Sequence, residues 1–306
     1  MIASRMKIGT RGSPLALAQA REVRARLSAA HGIDAEAFEI VVIRTTGDMI
    51  QDRPLSESGG KGLFTKEIDA AQLEGSIDIA IHSSKDLPTR LPDGLAIGGF
   101  LAREDPRDAL ISAKAGSIEN LPRGATLGTA SLRRQAQVKR LRPDINVILL
   151  RGNVETRLRK AESGEIDATL LALAGMKRLG LAHRATAILD IDAFLPAVGQ
   201  GAIAVTVRAD DHATLVALGA ILDADTGYAL AAERAFLGVL DGSCKTPIAG
   251  HARVVGDRVR LKGMVLRTDG SEAFEISDEG PISDASLVGV RAGRALLARL
   301  PPGVLP

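Results

Sequence analysis

Three short segments share one local pattern: Thr10-Arg11-Gly12-Ser13-Pro14, Gly128-Thr129-Ala130-Ser131-Leu132-Arg133-Arg134 and Leu150-Arg151-Gly152-Asn153-Val154. Each places Ser or Asn where a helix would begin, with an Arg within three residues of it. A helix start exposes unpaired backbone N–H groups and a partial positive charge. An adjacent guanidinium adds a planar fork that matches a carboxylate or phosphate. Arg157, Lys177 and Arg178 follow in sequence. Three such turns point to a ligand carrying several anionic groups. The stretch from Arg123 to Arg178 holds twelve Lys/Arg against five Asp/Glu, an excess of seven positive charges that draws anions at long range.

Two further segments carry chemistry. His82-Ser83-Ser84-Lys85-Asp86-Leu87-Pro88 follows an apolar run that reads as a buried strand. A carboxylate there suits general acid/base work or the steadying of a cationic intermediate; an exposed loop ion pair is the bland alternative. The only cysteine, Cys244, lies in Asp241-Gly242-Ser243-Cys244-Lys245-Thr246-Pro247. Lys245 beside it would favour the thiolate, whereas a lone Cys also serves as a small buried hydrophobe. Gly59-Gly60-Lys61-Gly62-Leu63-Phe64 is glycine-rich but lacks the spacing of a phosphate-binding P-loop. The five His residues have no ligand spacing, and with one Cys no metal site is expected.

The elements that must position these residues alternate. Lys7 to Arg11 reads as a short strand and Ser13 caps a helix that opens on Pro14. Strand and helix patterns then recur: Phe38 to Thr46, Gly62 to Glu74, Ile77 to Ser83 and Leu95 to Leu101. A second cycle follows with Ala109 to Ile111, Thr126 to Thr129, Ser131 to Leu141, Asn146 to Leu150, Asn153 to Glu162 and Asp167 to Leu173. Such alternation implies parallel sheets of an α/β fold, with ligands at the carboxyl ends of strands. The tail differs. A helix from Gly227 to Leu240 precedes strands at Ile248 to Val255, Arg258 to Leu266 and Ser271 to Ser277, joined by turns at Gly256 and Gly270. A last helix runs from about Asp284 to Leu300, giving a small α+β unit. The chain has 306 residues and a net charge of +2, enough for more than one core. No stretch approaches the ~18 apolar residues of a membrane span and the start lacks a secretory pattern, so the cytoplasm is the expected compartment. The basic stretch contains no aromatic residue on which a nucleic-acid base would stack, so no nucleic-acid partner is expected.

Taken in order, these segments resemble the porphobilinogen deaminase (hydroxymethylbilane synthase) family over nearly the whole chain. Further matching motifs are Arg103-Glu104-Asp105-Pro106-Arg107-Asp108, Gly175-Met176-Lys177-Arg178-Leu179-Gly180 and Leu195-Pro196-Ala197-Val198-Gly199-Gln200-Gly201. The resemblance implies a transferase of heme and porphyrin biosynthesis. It would condense four porphobilinogen molecules with loss of ammonia on a dipyrromethane cofactor, and water would release hydroxymethylbilane. It implies that Cys244 holds the cofactor by a thioether and that Asp86 is the catalytic carboxylate. Arg11, Ser13, Lys61, Phe64, Lys85, Thr129, Ser131, Arg133, Arg134, Arg151, Arg157, Arg178 and Gln200 are the matching cofactor- and substrate-binding positions. The implied fold has two doubly wound α/β domains resembling periplasmic binding proteins, residues 1–102 with 197–222 and residues 103–196. A small α+β domain, residues 223–306, carries the cysteine. A monomer is the family expectation. The chain departs from the family at Ser243, where Gly is usual, and at Ala130, where a hydroxyl residue is common.

Overall fold

The computed structural model describes residues 6–49, 64–241 and 246–305; Lys61, Ser243 and Cys244 lie outside them. The chain divides into two compact units, Met1–Glu104 with Ala202–Gly227 and Asp105–Gly201 with Tyr228–Pro306.

The first unit holds β1 (Met6–Thr10), α1 (Pro14–His31), β2 (Phe38–Val42), the one-turn α2 (Thr46–Met49), α3 (Lys66–Leu73), β3 (Ile79–Ser83) and β4 (Leu95–Phe100). The strand Ile203–Arg208 and the helix His212–Leu218 join it from late in the chain; counting in chain order, they are β10 and α7. The sheet order is β2-β1-β3-β10-β4. β1 pairs in parallel with β2 and β3, while β10 runs antiparallel to both β3 and β4. The sheet is therefore mixed, where alternation alone predicted a parallel one. A helix crossover returns a strand parallel to its neighbour, but β10 arrives from the other unit without one. Ile8, Ile79, Ile81 and Val205 pack with Val23 and Leu27 of α1 in the core beneath. Central β3 is buried at every position except Ser83, as a strand covered on both faces requires.

The second unit repeats the scheme with β5 (Asp108–Ile111), β6 (Thr126–Gly128), α4 (Leu132–Leu141), β7 (Asn146–Ile148), α5 (Val154–Glu162), β8 (Ala168–Ala172), α6 (Leu173–Arg178) and β9 (Ala187–Ile188). The order is β7-β6-β8-β5-β9. β6 is parallel to β7 and β8, whereas β5 is antiparallel to β8 and β9.

The tail forms α8 (Ala224–Val239), an antiparallel sheet of β11 (Ile248–Val255), β12 (Arg258–Leu266) and β13 (Ala273–Pro281), and α9 (Ala285–Leu297). Gly250 and Gly263 leave room for the Phe236 ring of α8; a Cβ on Gly263 would lie 2.4 Å from it. The hairpin turns use Gly256 at φ 62° and Gly270 at φ 76°, a region that L side chains avoid. Among the described residues, no helix is long and apolar enough to cross a membrane.

Candidate anion-binding and catalytic site

In the first unit, the turns after β1 and β3 open at the same sheet edge, because these strands are parallel neighbours. After β1, Ser13 caps α1, accepting the Ala16 N–H at 3.3 Å, with Pro14 at the first helical position. The Arg11 guanidinium lies 4.1 Å from the centre of the Phe64 ring, a cation–π contact. After β3, residues Ser84–Asp86 form a single 3-10 turn. Lys85 and Asp86 are exposed on it. The Ser84 hydroxyl is buried and has no hydrogen-bond partner among the described residues. His82, just below, is buried. Burial pushes it down to about 4, with the Arg11 charge adding to the effect, so its ring is neutral at pH 7.

In the second unit, the turns after β6 and β7 likewise share an edge. Ser131 caps α4, accepting the Arg134 N–H at 3.4 Å, and Asn153 caps α5, accepting the Thr156 N–H at 2.8 Å. A capping hydroxyl keeps its own proton to donate to a ligand. Gly152 has φ 116°, and a Cβ there would come within 2.9 Å of Thr156, so the turn that presents Arg151 requires glycine. Arg157 Nε donates to the Gly152 carbonyl at 2.8 Å. Arg178, at the end of α6, donates to the Gly201 carbonyl at 3.0 Å. Arg151, Arg157 and Arg178 are all partly exposed.

Four of the expected ligand positions sit beneath that edge rather than on it. Asp108, first in β5 and paired in register with Ala172, is fully buried. It accepts Arg133 Nη2 at 2.7 Å, Arg134 Nη2 at 2.6 Å and Gln200 Nε2 at 2.9 Å. The second η nitrogens reach the Leu195 and Leu170 carbonyls, each at 2.8 Å. Arg133 and Arg134 are 4% and 5% exposed. Their Nε atoms have no partner among the described residues. Thr129 is buried too, its hydroxyl accepting the Ser131 N–H at 3.1 Å. A buried carboxylate without cations is too costly to persist, which is why the arginine pair turns inward. Burial alone would raise the Asp108 pKa, but the two guanidiniums hold it well below the usual carboxylate range. Asp108 itself was missed by sequence reasoning. The available signal was α4, whose inward positions Arg133, Arg134 and Gln137 are polar and must meet a buried partner.

Fold and edge chemistry define a class: an α/β protein with capped, arginine-flanked turns at the carboxyl edges of two mixed sheets. The chain belongs to the porphobilinogen deaminase family. The model of its "dipyromethane cofactor binding domain" matches residues 6–216, and the model of its C-terminal domain matches residues 228–298. Curated porphobilinogen deaminases of Nitrobacter hamburgensis and Nitrobacter winogradskyi are each 60% identical over 292 residues, 95% of this chain and 92% of theirs. Among solved structures, a nutrient-binding protein from Burkholderia cenocepacia bound to methionine is similar with a TM-score of 0.43 and 14% identity. That match covers 70% of this chain and 90% of that one.

Proposed function

We propose that the chain joins four porphobilinogen molecules head to tail, each losing its aminomethyl nitrogen as ammonia, and that water then releases hydroxymethylbilane. One observation carries this reading: the exposed carboxylate of Asp86 lies in the turn after β3, at the sheet edge where Arg11 and Ser13 follow β1. A negative charge is thereby set beside groups that hold carboxylates, as a substrate with acidic side chains and a departing amine requires.

The donor chemistry suits a dipyrromethane, whose pyrrole units carry acetate and propionate groups. In the first unit Arg11 and Lys85 supply cations, Ser13 supplies a hydroxyl donor, and the buried Ser84 hydroxyl beside Asp86 has no partner among the described residues; in the second unit Arg151, Arg157 and Arg178 supply cations and Ser131 a hydroxyl donor. When bound, the dipyrromethane supplies the nucleophilic pyrrole carbon from which the product grows. Its thioether to Cys244, like the parts of Lys61 and Phe64 in holding it, rests on the match of sequence positions. Asp86 assists departure of the substrate nitrogen and offsets the positive charge left on its pyrrole. Arg133, Arg134, Gln200 and Thr129 position the α4 turn from below. The same reading places the reaction in the cytoplasm on a single chain, with porphobilinogen as its small-molecule partner.

Asp86→Asn tests it. The variant is expected to fold like the parent and to consume porphobilinogen about a hundredfold more slowly or worse, the usual scale of a lost acid/base group. Near-normal consumption would overturn the assignment.

A further inference from the structure

The outer face of the C-terminal sheet is covered over only half its length. Ala249 of β11 and Met264 and Leu266 of β12 pack against Ala136 of α4 and against Leu195. Further along the same face the strands carry polar and charged side chains instead: His251 and Arg253 on β11, Arg260 and Lys262 on β12. These four, with Ile191 and Leu195 of the preceding loop and the acids Asp192, Asp278 and Glu279, line a cavity of about 460 Å³, within the range of small-molecule sites.

The register sets Arg253 directly opposite Arg260, and His251 directly opposite Lys262. The directly opposed like charges of Arg253 and Arg260 destabilise the antiparallel pair. Neighbouring acids answer only part of this charge. Glu279 is shared by Arg260 at 3.0 Å and Arg258 at 3.1 Å. Asp278 is held by Arg291 at 2.9 Å, and Asp192 lies 3.6 Å from Lys262. The Arg253 side chain makes no hydrogen bond or ion pair with any described residue. On a fully open surface, salt and water would screen such a cluster. Here the loop carrying Ile191 and Leu195 walls one side of it, so an anion bound there keeps more of its attraction.

We propose that this cavity is a second anion site, apart from the turns that serve the reaction. It takes a small molecule bearing two phosphate or carboxylate groups. One group bridges the opposed forks of Arg253 and Arg260, a geometry suited to bidentate oxyanion binding. The other reaches His251 and Lys262, and the partly exposed side chain of Ile191 covers the body of the ligand.

The test uses the full chain labelled at Ile methyl groups, titrated at low salt with pyrophosphate and, separately, with citrate. The Ile191 methyl resonance reports this cavity alone, whatever anions bind elsewhere. A saturable shift with either probe is expected, pyrophosphate identifying a phosphate ligand and citrate a carboxylate one. Arg253→Gln removes an exposed side chain with no partner among the described residues, so folding and porphobilinogen turnover stay unchanged while the apparent Kd rises at least tenfold. Arg260→Gln should weaken binding similarly. An Ile191 signal that neither probe moves, or that moves identically in Arg253→Gln, overturns the proposal.

Discussion

Replacing Asp108 by Asn keeps the shape of the side chain and removes its charge from a site with no access to water. In the native protein the carboxylate is fully buried and accepts from Arg133 at 2.7 Å, Arg134 at 2.6 Å and Gln200 at 2.9 Å. In the variant an amide NH2 replaces one acceptor, and two buried guanidiniums face each other without a counter-charge. Losing one charge-assisted hydrogen bond costs about 1.5–3 kcal/mol, and stripping one partner from a buried ion cluster costs about 3–5 kcal/mol in all. That is a large fraction of the ~5–15 kcal/mol that separates folded from unfolded domains. In a urea titration followed by far-UV circular dichroism, the transition of the second unit is expected to fall by roughly 1–2 M. A loss under about 1 kcal/mol would refute the reasoning, since a buried cluster cannot be cut so cheaply. The control is Asp108→Leu with Arg133→Met and Arg134→Met. It leaves no buried charge uncompensated and should recover most of the lost stability, while loosening the turn that carries Ser131.

Two other expectations follow from buried or strained groups. His82 titrates near 4 in the folded chain against 6.5 when unfolded, so the unfolded state takes up the proton first. Stability is complete above about pH 6.5 and declines as the pH falls toward 4, by up to about 3 kcal/mol; His82→Gln should flatten that slope in pH-dependent urea melts. At Gly270, φ is 76° and a Cβ would lie 2.5 Å from the Arg140 backbone nitrogen. Gly270→Ala should therefore cost at least about 2 kcal/mol by thermal melting. Gly256→Ala, at φ 62° with nothing within 4 Å, bears only the backbone strain of about 1–2 kcal/mol.

Local chemistry was legible where the reasons are local. Ser13-Pro14, Ser131 and Asn153 announce helix starts because a capping oxygen acts within three residues, and all three cap as expected. The strands Ile248–Val255 and Arg258–Leu266 have the bounds read from alternation and the glycine turns. The third runs on to Pro281 because it pairs with β12 along its whole length. The helix expected from Gly62 begins instead at Lys66. The strand Ile203–Arg208 and its direction were not read from the sequence: only its route from the other unit makes it antiparallel. Nor does sequence separate an arginine that grips a ligand from one that neutralises a buried acid. Arg133, Arg134 and Arg151 look alike in the chain, and Asp108, opening a four-residue strand, gives no sign that it gathers two of them.

The most direct test of the account is the intact mass of the freshly expressed chain beside its Cys244→Ala variant, with porphobilinogen consumption measured on both. The account predicts a parent heavier than its sequence by two pyrrole units and active, and a variant of unmodified mass and inactive. An active parent at its bare sequence mass, or a variant that keeps the added mass, would contradict it.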